Sequence, residues 1–190
     1  MDTIVVEKRE ASVKVNHLRR AGLVPCVVCG GGLPKSISLQ MKQNNAQQLF
    51  KRYRNGSKVN LNVDGQTIPV QIKEKTRNFQ SDEIMHISFQ ALQAEQRVNS
   101  VANILLKNSD KVSDVLEKMM MEIPYSSLPA DMIDTVTIDV DGFAVGTVIT
   151  VKDIPAFTSD KIELQVDADS IVLRLRDKAR FTPKMPAENE

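Results

Sequence analysis

The stretch VNLNVDGQTIPVQI, residues 59–72, is the clearest local fold signal in this chain of 190 residues. Apolar side chains occupy every second position before Asp64 and again after Gly65, which is the period of a half-buried β-strand. An Asp-Gly pair between two such segments favours a tight turn, because both residues tolerate a positive φ. The stretch therefore predicts a β-hairpin.

Outward from this hairpin, the first half of the chain contains further short strand patterns and little helix. The predicted strands are Thr3–Lys8, Leu23–Cys29, Lys35–Met41 and Ile84–Phe89. A basic helical turn is expected at Val13–Arg20, and Asn44–Arg54 suits a helix with one apolar face. Many short strands with one clear helix are typical of a small closed β-barrel.

The second half also reads as mostly β. Strands are predicted at 98–106, 135–140 and 145–151, and a hairpin at 162–166 and 171–175. Ser109 is expected to cap a short helix through Met121, with an inner face of Val112, Val115, Leu116, Met119 and Met120. The methionines of this segment are interpreted as core filler.

The predicted fold class is mostly β with short helices (α+β), with two domains. Residues 1–92 form an N-terminal closed β-barrel, and residues 93–178 form a β-rich C-terminal domain. Residues 179–190 hold two prolines and a charged end, and are expected to form a flexible tail.

Charge divides the chain into halves of opposite sign. Residues 1–90 contain 14 Lys and Arg against 7 Asp and Glu, whereas residues 91–190 contain 11 against 17. Lys and Arg displace counterions condensed on phosphates, so the basic half suits a nucleic acid and the acidic half is expected to face another partner. The alternative is chance unevenness of solvated charge.

Composition excludes several classes. Aromatic residues make up only 4% of the chain and Trp is absent, which argues against a platform that stacks single-stranded bases. The longest apolar runs, such as Leu23–Cys29, are too short to span a membrane. We expect no signal peptide, and two cysteines form no disulfide framework, so a reduced, cytoplasmic protein is the default.

Three short motifs suggest chemistry, and each has a simpler interpretation. Cys26 and Cys29 have the Cys-x-x-Cys spacing of redox and zinc sites. On a strand, however, their side chains point to opposite faces, so they are interpreted as buried small hydrophobes. Residues 30–32 are three glycines without the pattern of a phosphate loop, and are read as a flexible turn. Asp139 to Gly142 lacks the later ligands of a calcium loop. No catalytic set, metal site or cofactor is predicted.

The remaining candidate for a functional site is the clustering of basic residues in the first half of the chain. One cluster precedes the first buried strand, and a second cluster lies at the end of the predicted helix. The first contains Lys8, Arg9, Lys14, Arg19 and Arg20, and the second contains Lys51, Arg52 and Arg54. The two clusters could form one phosphate-binding patch or two separate solvated faces.

Several segments together resemble a known family. Residues 18–30 (LRRAGLVPCVVCG), 63–73, 83–89 (EIMHISF), 128–133 (LPADMI), 138–140 and 145–147 follow its order and spacing. The chain is similar to the bacterial large-subunit ribosomal proteins that bind 5S ribosomal RNA, in the two-domain general-stress (Ctc, or L25/TL5) form. The resemblance covers residues 3–176, and it depends on the colinearity of motifs that are individually moderate.

The resemblance implies a barrel that binds an irregular RNA helix and a β-rich second domain. RNA helices are recognised by shape, phosphates and 2′-hydroxyls. By resemblance, the RNA-facing positions are Arg9, Lys14, Arg19 and His86, and Arg20 is an adjacent electrostatic candidate.

The sequence departs from the family at two proposed contacts. Cys29 stands where the family usually has tyrosine, and Ser88 stands where it usually has aspartate. The first change removes an aromatic ring and a strong hydroxyl donor, and the second removes a charge two residues from His86. Such changes suggest weakened or altered RNA binding.

We therefore expect a non-catalytic, ribosome-associated cytoplasmic protein that binds 5S ribosomal RNA through its basic domain. The acidic domain would contact neighbouring ribosomal proteins, with no membrane or small-molecule substrate involved. The first alternative is a divergent paralogue that has lost RNA binding and acts as a stress-related or protein-interaction module. The second is an enzyme or redox protein that uses Cys26 and Cys29.

Overall fold

The computed structural model describes residues 2–10, 12–112 and 114–178, and the predicted tail at 179–190 lies outside them. These residues divide into two compact units. The first unit joins the described residues up to Val101 with Ser126–Asp134, and the second joins Ala102–Tyr125 with those from Thr135 onward. Within the described ranges, no helix has the length and apolar character needed to cross a membrane.

Six strands of the first unit close into a barrel, as the sequence predicts. They are β1 (Thr3–Lys8), β2 (Leu23–Cys29), β3 (Ile37–Lys42), β4 (Lys58–Val63), β5 (Gln66–Arg77) and β6 (Ile84–Ala91). Around the barrel the strands follow the order β1-β3-β2-β6-β5-β4. Alternate side chains fill the interior, and Val59, Leu61 and Val63 are each at most 3% exposed.

The predicted hairpin at 59–72 is confirmed. β4 pairs antiparallel with β5, with Val59 opposite Val70 and Leu61 opposite Ile68. Asp64 and Gly65 both have positive φ, at 51° and 85°. This is the backbone conformation that the Asp-Gly pair tolerates and most other pairs resist.

Two parallel pairs complete the barrel. β1 runs parallel to β4, from Thr3 opposite Asn60 to Val6 opposite Val63. β2 runs parallel to β6, from Cys26 opposite Ile87 to Cys29 opposite Gln90. Both pairs join strands that are distant in sequence, so their partners depend on how the whole barrel closes.

Two helices accompany the barrel, α1 (Val15–Arg20) and α2 (Gln43–Arg52). α2 buries Ala46 and Leu49 in the core that the barrel strands share. The glycine triplet after β2 is a packed turn with positive φ throughout. A Cβ on Gly31 would lie 2.5 Å from the carbonyl oxygen of Ala91, so only glycine fits there without movement of the backbone.

The remaining strands form two open sheets. They are β7 (Val98–Lys107), β8 (Val115–Lys118), β9 (Glu122–Ser127), β10 (Thr135–Asp139), β11 (Val148–Thr150), β12 (Glu163–Leu164) and β13 (Ile171–Arg176). One sheet has the order β10-β7-β9-β12, and the other has the order β11-β13-β8. Tyr125 and Phe157 pack in the second unit's core with ring centroids 6.0 Å apart.

The helix predicted from Ser109 to Met121 is wrong. Ser109–Lys111 is a single 3-10 turn, and the following segment forms β8. β8 pairs antiparallel with β13, which places Leu116 opposite Leu175. Pairing with this distant strand overrides a helical pattern that local sequence alone favours. Met119 and Met121 are 56% and 66% exposed, so these two are not core filler.

The hairpin predicted at 162–166 and 171–175 is also wrong. β12 belongs to the four-stranded sheet, whereas β13 is the central strand of the three-stranded sheet. The chain does turn between them, where the Ser170 N–H donates to the Asp167 carbonyl. However, β12 continues toward β9, where the Gln165 N–H donates to the Pro124 carbonyl.

Candidate nucleic-acid interface

β6 places the predicted imidazole on the outside of the barrel. Ile87 and Phe89 are fully buried, while His86 and Ser88 are half-buried. From His86 to Phe89 the period of two therefore assigns one pair to the core and the other to the outer face. The buried Ile84 departs from this alternation, at the register shift between Thr76 and Arg77 of β5.

The strands on either side extend this outer face. On β5, Thr76 lies opposite His86 and Glu74 lies opposite Ser88. On β2, Val27 lies opposite Ser88. His86 and Ser88 thus lie at the centre of a surface built from three neighbouring strands.

Arg19 reaches this surface from α1. Its Nη2 donates to the main-chain carbonyl of Met85, 3.1 Å away, which anchors the guanidinium one residue before His86. Its Nε is shielded from solvent and has no acceptor among the described residues. The guanidinium therefore retains a donor that the protein does not use.

Arg9 reaches the same surface from the end of β1. Its main-chain N–H donates to the Ser38 carbonyl of β3 at 2.9 Å, and its Nε is likewise shielded without an acceptor in the described chain. Burial is the main cause that lowers the pKa of His86 below its usual range. The charges of Arg19 and Arg9 lower that pKa further, whereas Glu74 opposes them.

Arg9, Arg19 and His86 are thus close enough for their charges to interact, and we call them the arginine–histidine cluster. Converging like charges cost folding free energy unless a partner offsets them. Glu74 is the one carboxylate whose charge acts on His86 to raise its pKa. The cluster is consequently suited to accept an anion.

Lys14 and Arg20 lie on the same helical segment as Arg19. Lys14 flanks the start of α1, where its carbonyl accepts the His17 N–H at 2.9 Å, and Arg20 is the last residue of the helix. Both side chains are exposed. Among the described residues, neither has a recorded contact with the arginine–histidine cluster.

The two cysteines point to opposite sides of β2, as predicted, but the interpretation of both as buried small hydrophobes is wrong for Cys29, because the strand ends there at the surface. Cys26 is buried in the core, and burial raises the pKa of its thiol to about 12. Cys29 is exposed at the strand end, with its Sγ 3.6 Å from the Phe89 carbonyl oxygen. The described residues contain no group of three His, Cys, Asp or Glu side chains placed to hold a metal.

Sequence reasoning missed Glu74. The alternation that predicts β5 stops at Ile72, but the strand continues to Arg77. A register shift between Ile72 and Glu74 breaks the period of two, so the pattern ends before the strand does. Extending the strand through the alternating polar residues Glu74 and Thr76 would have identified the carboxylate.

The second basic cluster lies at the end of α2. Arg52 pairs with Asp2 at 3.4 Å, and the charge of Arg54 acts on Lys75 of β5. In the described part of the chain, neither arginine has a recorded contact with Arg9, Arg19 or His86. That the two basic clusters form one phosphate-binding patch or two separate faces stays a prediction.

Both parts of the chain match families of known proteins. Residues 4–89 match the Ribosomal L25p family, and residues 97–178 match the C-terminal domain of ribosomal protein TL5. The chain is 31% identical over 160 residues to the large ribosomal subunit protein bL25 of Gloeothece citriformis, covering 80% of each chain.

Two further relatives carry the same name. The bL25 protein of Geobacillus thermodenitrificans is 29% identical over 154 residues, which is 78% of this chain and 70% of that protein. The bL25 protein of Thermoanaerobacter sp. (strain X514) is 23% identical over 179 residues, which is 91% of this chain and 88% of that protein. The members of this family are structural proteins and not enzymes. Together with the two family matches, this likeness shows that the chain belongs to the bL25 family of bacterial large-subunit ribosomal proteins, in its two-domain TL5 form.

Proposed function

We propose that this protein binds 5S ribosomal RNA within the large ribosomal subunit, through the outer face of its barrel. The observation that carries the proposal is the arginine–histidine cluster. The charges of two guanidinium groups act on a half-buried imidazole, and the Nε of each arginine is shielded without an acceptor in the described chain. The positive charges of the two arginines would attract the phosphates of an RNA helix.

The roles of the cluster follow from its chemistry. Arg9 and Arg19 would contact phosphates, because a guanidinium donates to two oxygens at once. His86 would contact hydroxyls or base edges, since its lowered pKa leaves it neutral near pH 7, with one donor and one acceptor. Lys14 and Arg20, exposed along the helical segment that carries Arg19, would add longer-range attraction.

The second unit has a different proposed role. Several of its basic side chains are paired with carboxylates of the same unit, as in Lys111–Asp141 at 2.7 Å and the Lys152–Asp169 pair. Charges that are already compensated attract RNA weakly. This supports contact with neighbouring ribosomal proteins, in a cytoplasmic and ribosome-associated molecule.

A gel shift with a 5S ribosomal RNA fragment tests the proposal. The full-length protein should retard the fragment at micromolar concentration or below, and the complex should weaken as salt rises. A regular RNA duplex of equal length is the matched control, and it should bind more weakly. The absence of a salt-sensitive complex would favour the divergent paralogue, whose departures Cys29 and Ser88 lie at the exposed end of β2 and beside His86.

A further inference from the structure

One exposed aromatic ring is not used by the proposed RNA face. Phe79 is 89% exposed, the highest value among the large hydrophobic side chains of the described residues that are exposed. It lies in the loop between β5 and β6. A fully exposed phenyl ring forgoes the free energy that its burial would give, so a bound partner would gain by covering it.

The ring is held in place by charged neighbours. The guanidinium carbon of Arg77 lies 5.7 Å from the centroid of Phe79 and 5.8 Å from that of Phe50 on α2. Arg77 also pairs with Asp82 across the loop at 3.0 Å. The arginine is therefore bracketed by two rings and one carboxylate, which restricts its motion and that of Phe79.

The loop itself is closed by main-chain hydrogen bonds. The Asn78 N–H donates to the Glu83 carbonyl at 2.8 Å, and the Gln80 N–H donates to Oδ1 of Asn78 at 2.9 Å. A loop closed at its base and turned by an Asx contact presents its outermost side chain with little loss of entropy on binding. Phe79 is that side chain.

Arg77 is the cation that the structure places over the ring of Phe79, and further cations lie around Phe50. Lys75 lies 4.5 Å from the centroid of Phe50, and both its burial and the charge of Arg54 lower its pKa. A ring beside a guanidinium suits a ligand that combines a flat apolar surface with phosphates, as a nucleotide does.

The loop also continues the proposed RNA face. Thr76 lies opposite His86 and Arg77 lies opposite Ile84, so the strands that carry the imidazole lead directly into the loop. Arg19 is anchored on Met85, between these two pairs.

We propose that Phe79 stacks on an unpaired base of the bound RNA. The inference rests on the proposed function, because the base belongs to the same RNA. Stacking requires only the flat face of a base, so we expect no preference for one base type. A single ring can hold one base, which is compatible with the low aromatic content of the chain.

The absence of Trp from the chain allows a direct test. Phe79→Trp would introduce the sole indole, and stacking on a base would quench its emission. We expect quenching with a 5S ribosomal RNA fragment that contains unpaired bases, at the concentrations that give a gel shift. A matched fragment in which every base is paired should leave the emission unchanged.

Binding measurements with substituted proteins complete the test. Phe79→Ala should weaken binding about tenfold with an unchanged salt dependence, because stacking is not ionic. Phe79→Tyr should retain the affinity. Val5→Ala is the matched control, since Val5 is another exposed apolar residue of the barrel, at 63%, and its loss should not alter binding.

The outcomes separate the two proposals. If the unsubstituted protein binds no 5S ribosomal RNA, the proposed function and this inference both fail. If it binds but Phe79→Ala binds equally well, the inference alone is overturned. Unchanged RNA affinity with reduced co-sedimentation with large subunits would assign Phe79 to a protein contact, which also overturns the inference.

Discussion

The barrel face and the three-stranded sheet of the second unit both bring two arginines together, with opposite results. On the sheet, Glu117 accepts from the Nε of Arg174 at 2.5 Å and lies 3.2 Å from the Nε of Arg176. On the barrel, the Nε atoms of Arg9 and Arg19 have no acceptor among the described residues. One arrangement is complete within the protein, and the other leaves two donors without an acceptor in the described chain.

This difference shows why net charge alone is a weak guide to an interface. The two arginines of the sheet lie in the acidic half and stabilise their own fold. Those of the barrel act on an imidazole whose pKa they lower, so they disfavour its protonated form. A bound phosphate would offset this effect and favour the protonated form.

Substitution of one arginine from each pair gives the largest expected contrast. Arg19→Ala should weaken binding to 5S ribosomal RNA about tenfold and make the salt slope about one unit less steep, because one phosphate contact is lost. Arg174→Ala should change neither quantity. Gel shifts at several salt concentrations measure both, and equal behaviour of the two variants would remove the distinction between the faces.

Removal of the carboxylate tests the sheet. Glu117→Gln should lower the free energy of unfolding by about 1 kcal/mol, because it leaves two partly shielded arginines uncompensated. Asp169→Asn is the control, since its pair with Lys152 is exposed and its loss should not be measurable. Urea unfolding followed by circular dichroism measures the effect. Unchanged stability of Glu117→Gln would show that the sheet arginines need no compensation.

Removal of a carboxylate from the barrel face should be favourable, because it should increase the affinity for RNA. Glu74→Gln removes the carboxylate that opposes Arg9 and Arg19 at His86. We expect binding to 5S ribosomal RNA to tighten about threefold, because repulsion between Glu74 and phosphates is lost. Filter binding at low salt measures the gain. A weaker complex would mean that Glu74 itself contacts the RNA.

The smallest expected effect is a dependence on pH. The pKa of His86 lies below its ordinary value of 6.5, so the free protein loses stability as pH falls below that value, since the unfolded chain takes up the proton more readily. Phosphates would raise this pKa, so binding takes up a proton. Between pH 7.5 and 6 we expect affinity to rise about twofold per pH unit as pH falls.

His86→Gln provides the control for this dependence. The amide retains a donor and an acceptor but does not titrate in this range. The variant should therefore bind RNA without the rise at lower pH. The same pH dependence in both proteins would place the titrating group elsewhere.

The barrel could be predicted further than the second unit, and particular residues show why. In the hairpin at 59–72, the local pattern and the tertiary pairing agree, since the alternating residues are the ones that face the core. At Val115 and Leu116 they disagree. The local pattern favours a helix, but the segment pairs with β13 and forms strand β8 instead. Prediction fails where a distant partner outweighs the local preference.

The candidate site shows the same division. Strand alternation and charge are local properties, so three features follow from the sequence. They are the outward position of His86, the opposite faces of Cys26 and Cys29, and the excess of basic residues. The meeting of Arg9 and Arg19 at that imidazole, and the presence of Glu74 beside it, were decided by tertiary structure. They depend on the parallel pairing of β2 with β6, on the anchoring of α1 at Met85 and on a register shift in β5, which arise only when the barrel closes.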